Sequence, residues 1–236
     1  MKVIIAGATG LIGSEVLSNL IQNKNITSII ILSRRPLPEV GARDSRIKVI
    51  VLSNFLEYNG EVKKELNGAK AVLWALGGSN SNPTPSEKMD ELEVQYPLAL
   101  ANALLSTRDT GKENNESATK LRFLFISGTL SERDQSRKLW FLEQGRKARG
   151  LAENRLFELS KQNPEVFEAV IIKAAYVIPK SALCNMIPDL VVGGSGNAIR
   201  AEELGAAMVY CALDRHGSET IGNGELRSIG RRLFKS

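Results

Sequence analysis

One segment, Gly7-Ala8-Thr9-Gly10-Leu11-Ile12-Gly13, constrains this chain more than any other, because it joins a β-branched run to an amphipathic stretch. Val3 to Ala6 reads as a buried strand, and Leu11 to Gln22 carries Ile12, Val16 and Leu20 at helical spacing. The first glycine permits a tight turn between them. The second lets a ligand approach the backbone, and the third lets the helix pack closely on a sheet. N–H groups at the helix start, aided by the helix dipole, then attract a pyrophosphate. A glycine triplet alone also suits a plain turn, but at the first strand–helix junction of the chain it predicts a dinucleotide site formed by Gly7, Ala8, Thr9, Gly10, Leu11, Ile12 and Gly13.

The rest of the pattern repeats that junction. Ile29 to Leu32, Lys48 to Leu52, Ala71 to Ala75, Arg122 to Ile126 and Val170 to Ile172 read as further strands, with a helix over Val94 to Leu105. Continuous apolar strands, rather than alternating ones, indicate a parallel sheet covered on both faces. Strands alternating with helices give an α/β class, a doubly wound Rossmann fold. Residues 1–236 form a single domain with a short C-terminal annex. Ser106 to Lys120 holds no apolar residue larger than alanine and reads as a mobile surface loop. Residues 176–200, with Pro179, Pro188 and Gly193-Gly194-Ser195-Gly196, read as an irregular flap on the substrate side.

Composition closes off several classes. No apolar run approaches the roughly 18 residues of a membrane span. The chain enters its first strand directly after Met1-Lys2, so no targeting leader is expected. Two cysteines and one histidine cannot supply a disulfide framework or the usual zinc set. The expectation is a cytoplasmic protein without a metal. A net charge of +5 with 6% aromatic residues and no dense basic run argues against nucleic acid. Part of that charge lies at Arg34-Arg35, and part at Arg146, Lys147 and Arg149.

The end of the second strand bears on the identity of the dinucleotide. An acidic residue there would accept the ribose 2′-hydroxyl of NAD, whereas arginine suits a 2′-phosphate. The sequence is Leu32-Ser33-Arg34-Arg35-Pro36, so Ser33, Arg34 and Arg35 point to NADP(H). The plainer reading is two arginines on a solvated turn. Leu76 and Gly77, in Ala75-Leu76-Gly77-Gly78-Ser79, give close backbone approach where the central ribose would pass.

Together the glycine loop, the Leu32–Pro36 strand end and the stretch Phe123-Leu124-Phe125-Ile126-Ser127-Gly128-Thr129 resemble the short-chain dehydrogenase/reductase superfamily. The resemblance is to its atypical members, the NAD(P)-binding proteins related to the Tat-interacting protein and its fungal relatives. It covers nearly the whole chain and extends to Ile199-Arg200-Ala201-Glu202-Glu203-Leu204-Gly205, which resembles a closing helix start.

That resemblance implies a tyrosine and, four residues later, a lysine side by side on one helix face. The tyrosine would exchange the proton, the lysine would bind the nicotinamide ribose, and a hydroxyl after the fifth strand would orient a carbonyl. In the matching stretch, Gly145 stands at the tyrosine position and Arg149 at the lysine position, followed by Gly150 and Glu153. Arginine can bind ribose hydroxyls or a phosphate, but it does not exchange protons.

Ser127 and Thr129 are the candidate hydroxyls, or else loop caps. Tyr176 either replaces the missing acid or packs its ring in the core. Trp140 and Phe141 cover the site or pack under the helix, and Lys147, two residues out of register, faces elsewhere. Cys184 and Cys211 read as buried small apolar residues, and His216 as part of a helix-ending turn. Two functions stay open: an NADP(H)-dependent oxidoreductase on a small carbonyl or alcohol substrate, or a non-catalytic NADP(H) sensor presenting a partner surface. Family habit adds a homodimer through Val94–Leu105 and Arg149–Ser160.

Overall fold

The computed structural model describes residues 1–78, 85–108, 120–180, 198–214 and 218–234. Strand β1 (Lys2–Ala6) leads through the glycine loop into α1 (Leu11–Gln22), followed by β2 (Ser28–Ser33), a short α2 (Pro38–Gly41) and β3 (Ile47–Val51). Next come α3 (Gly60–Leu66), β4 (Ala71–Trp74), α4 (Ser86–Asp90), a π-helical turn (Glu91–Gln95) and α5 (Tyr96–Leu105). The second half holds β5 (Leu121–Gly128), α6 (Glu143–Gln162), β6 (Phe167–Ala174), β7 (Tyr176–Ile178), β8 (Ala198–Arg200), α7 (Ala201–Leu213), β9 (Thr220–Gly222) and α8 (Asn223–Phe234).

Seven strands form one parallel sheet in the order β3-β2-β1-β4-β5-β6-β9. Each face carries its own apolar layer, which is why the central strands contain no polar alternation. On one face, Val16, Leu17 and Leu20 of α1 meet Leu204, Met208 and Cys211 of α7. On the other, Phe55, Trp74, Phe123 and Phe125 pack with Leu100 of α5 and Leu156 of α6. A buried Arg122 on β5 is satisfied by Glu168 on the neighbouring strand and by the carbonyls of Cys211 and Asp214 at the end of α7.

The strand order reverses at β1, whose neighbours are β2 and β4. In open α/β sheets, ligands bind in the crevice outside the carboxyl ends at such a point. All six strands read from the sequence are present, with ends shifted by a residue or more. Three strands of three residues each, β7, β8 and β9, went unread because they are too short for a periodic signal. The helix read from Val94 begins earlier, at Ser86, and passes through the π turn. The ends of the 176–200 flap are not irregular: β7 and β8 pair in parallel, with Tyr176 opposite Ala198. Residues 181–197 of that flap, with Cys184, lie outside the described residues, as do Ser79, most of the 106–120 loop and His216.

Candidate functional site

The glycine loop is built as its spacing requires. Gly7 has φ +85°, in the left-handed region, and a Cβ there would stand 2.5 Å from the Ala75 carbonyl oxygen. A Cβ on Gly13 would lie only 2.0 Å from the Gly7 carbonyl oxygen, so helix α1 meets the turn backbone to backbone. Gly10 is the N-cap of α1. It bonds to the Gly7 carbonyl at 3.0 Å, and neither a side-chain cap nor an acidic residue occupies the first turn. The N–H groups of that turn lack intrahelical acceptors. Thr9, Gly10 and Leu11 are exposed above them, while Ala8 is buried and Ile12 partly so. These residues fit a pyrophosphate: a backbone cradle, a helix dipole and no competing carboxylate.

Ser33 closes β2, and its hydroxyl accepts from the Arg35 N–H at 3.2 Å. Arg34 and Arg35 are exposed, and neither forms an ion pair among the described residues. The other basic residues named from the sequence have partners. Lys147 pairs with Glu143 one helical turn away, at 2.5 Å. Arg146 donates to the Leu130 carbonyl at 2.6 Å and stacks 4.6 Å over the Phe141 ring.

Arg149 is committed differently. Its Nη2 donates to Glu93 Oε1 at 3.2 Å and its Nε to Oε2 at 3.3 Å. Glu93 is buried within the π turn, and the same Oε1 accepts from the Gly78 N–H at 3.0 Å. Leu76 and Gly77 sit on the turn that this bond secures, Leu76 partly buried and Gly77 exposed. Glu93 was not singled out from the sequence, although a signal was there. It lies on the stripe of Pro97, Leu100 and Leu104, a carboxylate among residues that face the core.

Ser127 is buried, and its hydroxyl donates to Glu153 Oε1 at 2.5 Å. Glu153, with no exposed surface, also accepts from Ser131 Oγ at 2.6 Å, Lys173 Nζ at 2.7 Å and Arg133 Nε at 2.5 Å. Burial alone would raise the Glu153 pKa. The hydrogen bonds from Lys173, Ser127, Ser131 and Arg133 outweigh that and hold it below the ordinary glutamate value. Gly150 serves the same junction: a Cβ there would fall 1.7 Å from the Glu132 carbonyl oxygen, so only glycine lets the loop after β5 cross helix α6.

The remaining candidates gather at the carboxyl edge. Thr129 is exposed, and its N–H donates to the Ala174 carbonyl at 3.0 Å, two residues before Tyr176. Tyr176 is 63% exposed, so its ring stands on the rim and not in the core. Gly145 faces Met89 of α4, whose Cε would be 3.9 Å from an added Cβ. Trp140 does not pack under α6, being 91% exposed beside Phe141. Cys211 is buried as read, and burial pushes its thiol up to about 11. Among the described residues there is no cluster of metal-ligating side chains, and no helix is long and apolar enough to cross a membrane.

No family model matches the chain. A curated relative, leucinostatins biosynthesis cluster protein T of Purpureocillium lilacinum, is 28% identical over 127 residues, which are 54% of this chain and 42% of that protein. The match therefore spans less than half of the relative. Among solved structures, Gre2 from Candida albicans in complex with NADPH matches at a TM-score of 0.64 and 14% identity, covering 91% of this chain and 75% of that one. Carbonyl reductase Sniffer of D. melanogaster matches at 0.68 and 13%, covering 94% and 96%. The PhqB reductase domain from Penicillium fellutanum matches at 0.64 and 12%, covering 94% and 66%. At such identities the likeness shows the fold, and this chain has the Rossmann fold those reductases share.

Proposed function

We propose that this chain binds NADP(H) across the carboxyl ends of β1, β2 and β4 and acts as an oxidoreductase on a small carbonyl or alcohol substrate. One observation carries the cofactor reading. The glycine cradle ends in an uncapped helix start, and Arg34 stands exposed at the end of β2 with no carboxylate in its place. A guanidinium there gives a 2′-phosphate charge-assisted, bidentate hydrogen bonds. The reductases of shared fold, one of them in complex with NADPH, support the same reading.

When bound, the cofactor supplies the hydride. The chain's own polar groups at the β5 edge are the Thr129 hydroxyl, suited to orienting a carbonyl oxygen, and the Arg149 guanidinium, which donates hydrogen bonds but no proton. Tyr176, 63% exposed just beyond β6, carries a hydroxyl that can exchange one. The Ser127 hydroxyl donates to the buried Glu153, which favours Thr129 as the hydroxyl that meets substrate. A second reading, a non-catalytic NADP(H) sensor with a partner surface, is favoured by that bond and by Gly145 in place of a proton donor.

Titration of wild type and Arg34→Ala with NADPH and NADH tests the cofactor reading. The variant is expected to lose about tenfold or more in NADPH affinity while NADH is unaffected. Unchanged NADPH affinity would contradict it. NADPH bound without turnover across a broad carbonyl panel would favour the sensor.

A further inference from the structure

Glu93 is a carboxylate with almost no exposed surface, on a single π-helical turn that brings Glu93 and Val94 inward together. A buried charge of this kind persists only when paired and hydrogen-bonded. Its partners lie on two other elements: the Gly78 N–H on the turn after β4, and the Arg149 guanidinium on α6. One carboxylate therefore ties the turn after β4 to helix α6.

The pairing also decides which edge of Arg149 is left. Nε and Nη2 point at Glu93, which occupies the side-on edge of the guanidinium. Nη1 has no acceptor among the described residues and lies 3.9 Å from where a Cβ on Gly128 would be, over the carboxyl end of β5. With its charge balanced by Glu93, Arg149 offers oriented N–H donors and no net positive charge. That combination suits neutral oxygens such as hydroxyls, whereas the exposed Arg34 and Arg35 suit phosphate.

Resting on the NADP(H) reading above, we infer that Glu93 is a positioning residue: it turns the free edge of Arg149 toward the nicotinamide half of the dinucleotide. Glu93 itself touches no ligand and acts through Arg149. The two side chains form one unit, so removing either removes the same interaction.

The test is calorimetric titration of the full chain with two probes, NADPH and adenosine 2′,5′-bisphosphate, the second lacking the nicotinamide half. The proteins are wild type, Glu93→Gln, Arg149→Met and the double variant, each checked by thermal melting. Glu93→Gln keeps the side-chain shape and an acceptor for Gly78. Each single variant is expected to weaken NADPH about tenfold and to leave the bisphosphate within about twofold. The double variant should be no weaker than either single. If Glu93→Gln weakens both probes alike, Glu93 only braces the turn at Gly78 and the inference is overturned. Unchanged NADPH affinity in Arg149→Met overturns it equally. Wild type that binds neither probe would remove the NADP(H) reading itself, a result distinct from both.

Discussion

Ser127 Oγ lies 2.5 Å from Glu153 Oε1, a buried hydrogen bond that ties the end of β5 to helix α6. Four donors converge on this one carboxylate, from β5, the loop after it and β6. The junction between β5, α6 and β6 is thus held by a polar knot.

Replacing Glu153 exposes the cost of that knot. Glu153→Leu leaves Lys173, largely buried, without its carboxylate partner, and urea unfolding should show a loss of about 3–5 kcal/mol. The pH dependence has a definite sign. The folded pKa of Glu153 is lowered from an ordinary value of 4.5, so its contribution is complete above that value and is lost as pH falls through the lower folded one. The gap in Tm between wild type and Glu153→Gln should therefore narrow on acidification below pH 4.5.

Two glycines on α6 should respond with opposite signs. Gly150→Ala drives a methyl to 1.7 Å from the Glu132 carbonyl oxygen and should destabilise by about 3 kcal/mol as the loop is displaced. Gly145→Ala meets nothing nearer than Met89 Cε at 3.9 Å and should stabilise the helix by about 1 kcal/mol. Thermal melts of the two variants decide it.

Gly13→Ala tests the cradle. Its methyl would stand 2.0 Å from the Gly7 carbonyl oxygen, forcing α1 away from the turn. NADPH binding should be abolished in a calorimetric titration, with a stability loss of about 3 kcal/mol. Retained affinity would mean the loop does not hold the phosphates.

Sequence reading recovered what depends on local periodicity and missed what depends on tertiary contact. The six long strands, the Gly7–Gly13 loop and the arginines after β2 were legible because burial on both faces and backbone approach leave residue-type signatures. The pairing of Arg149 with Glu93 was not, because the two lie 56 positions apart and meet only when α6 packs on the π turn. The bond of Ser127 to Glu153 was not legible either, because β5 runs on to Gly128 and the two residues meet only when α6 packs on the sheet. Tyr176 reads from sequence as a replacement acid or a core ring, and Trp140 as cover or helix packing; the exposure of both depends on tertiary contacts that no local pattern encodes.

The central claim is that the crevice at β1, β2 and β4 takes NADP(H) through the glycine loop and Arg34. Direct calorimetric titration of the wild-type chain with NADPH and NADH tests it. One NADPH per chain, bound about tenfold or more tighter than NADH, is the predicted result. Equal affinity for the two, or binding of neither, would contradict it.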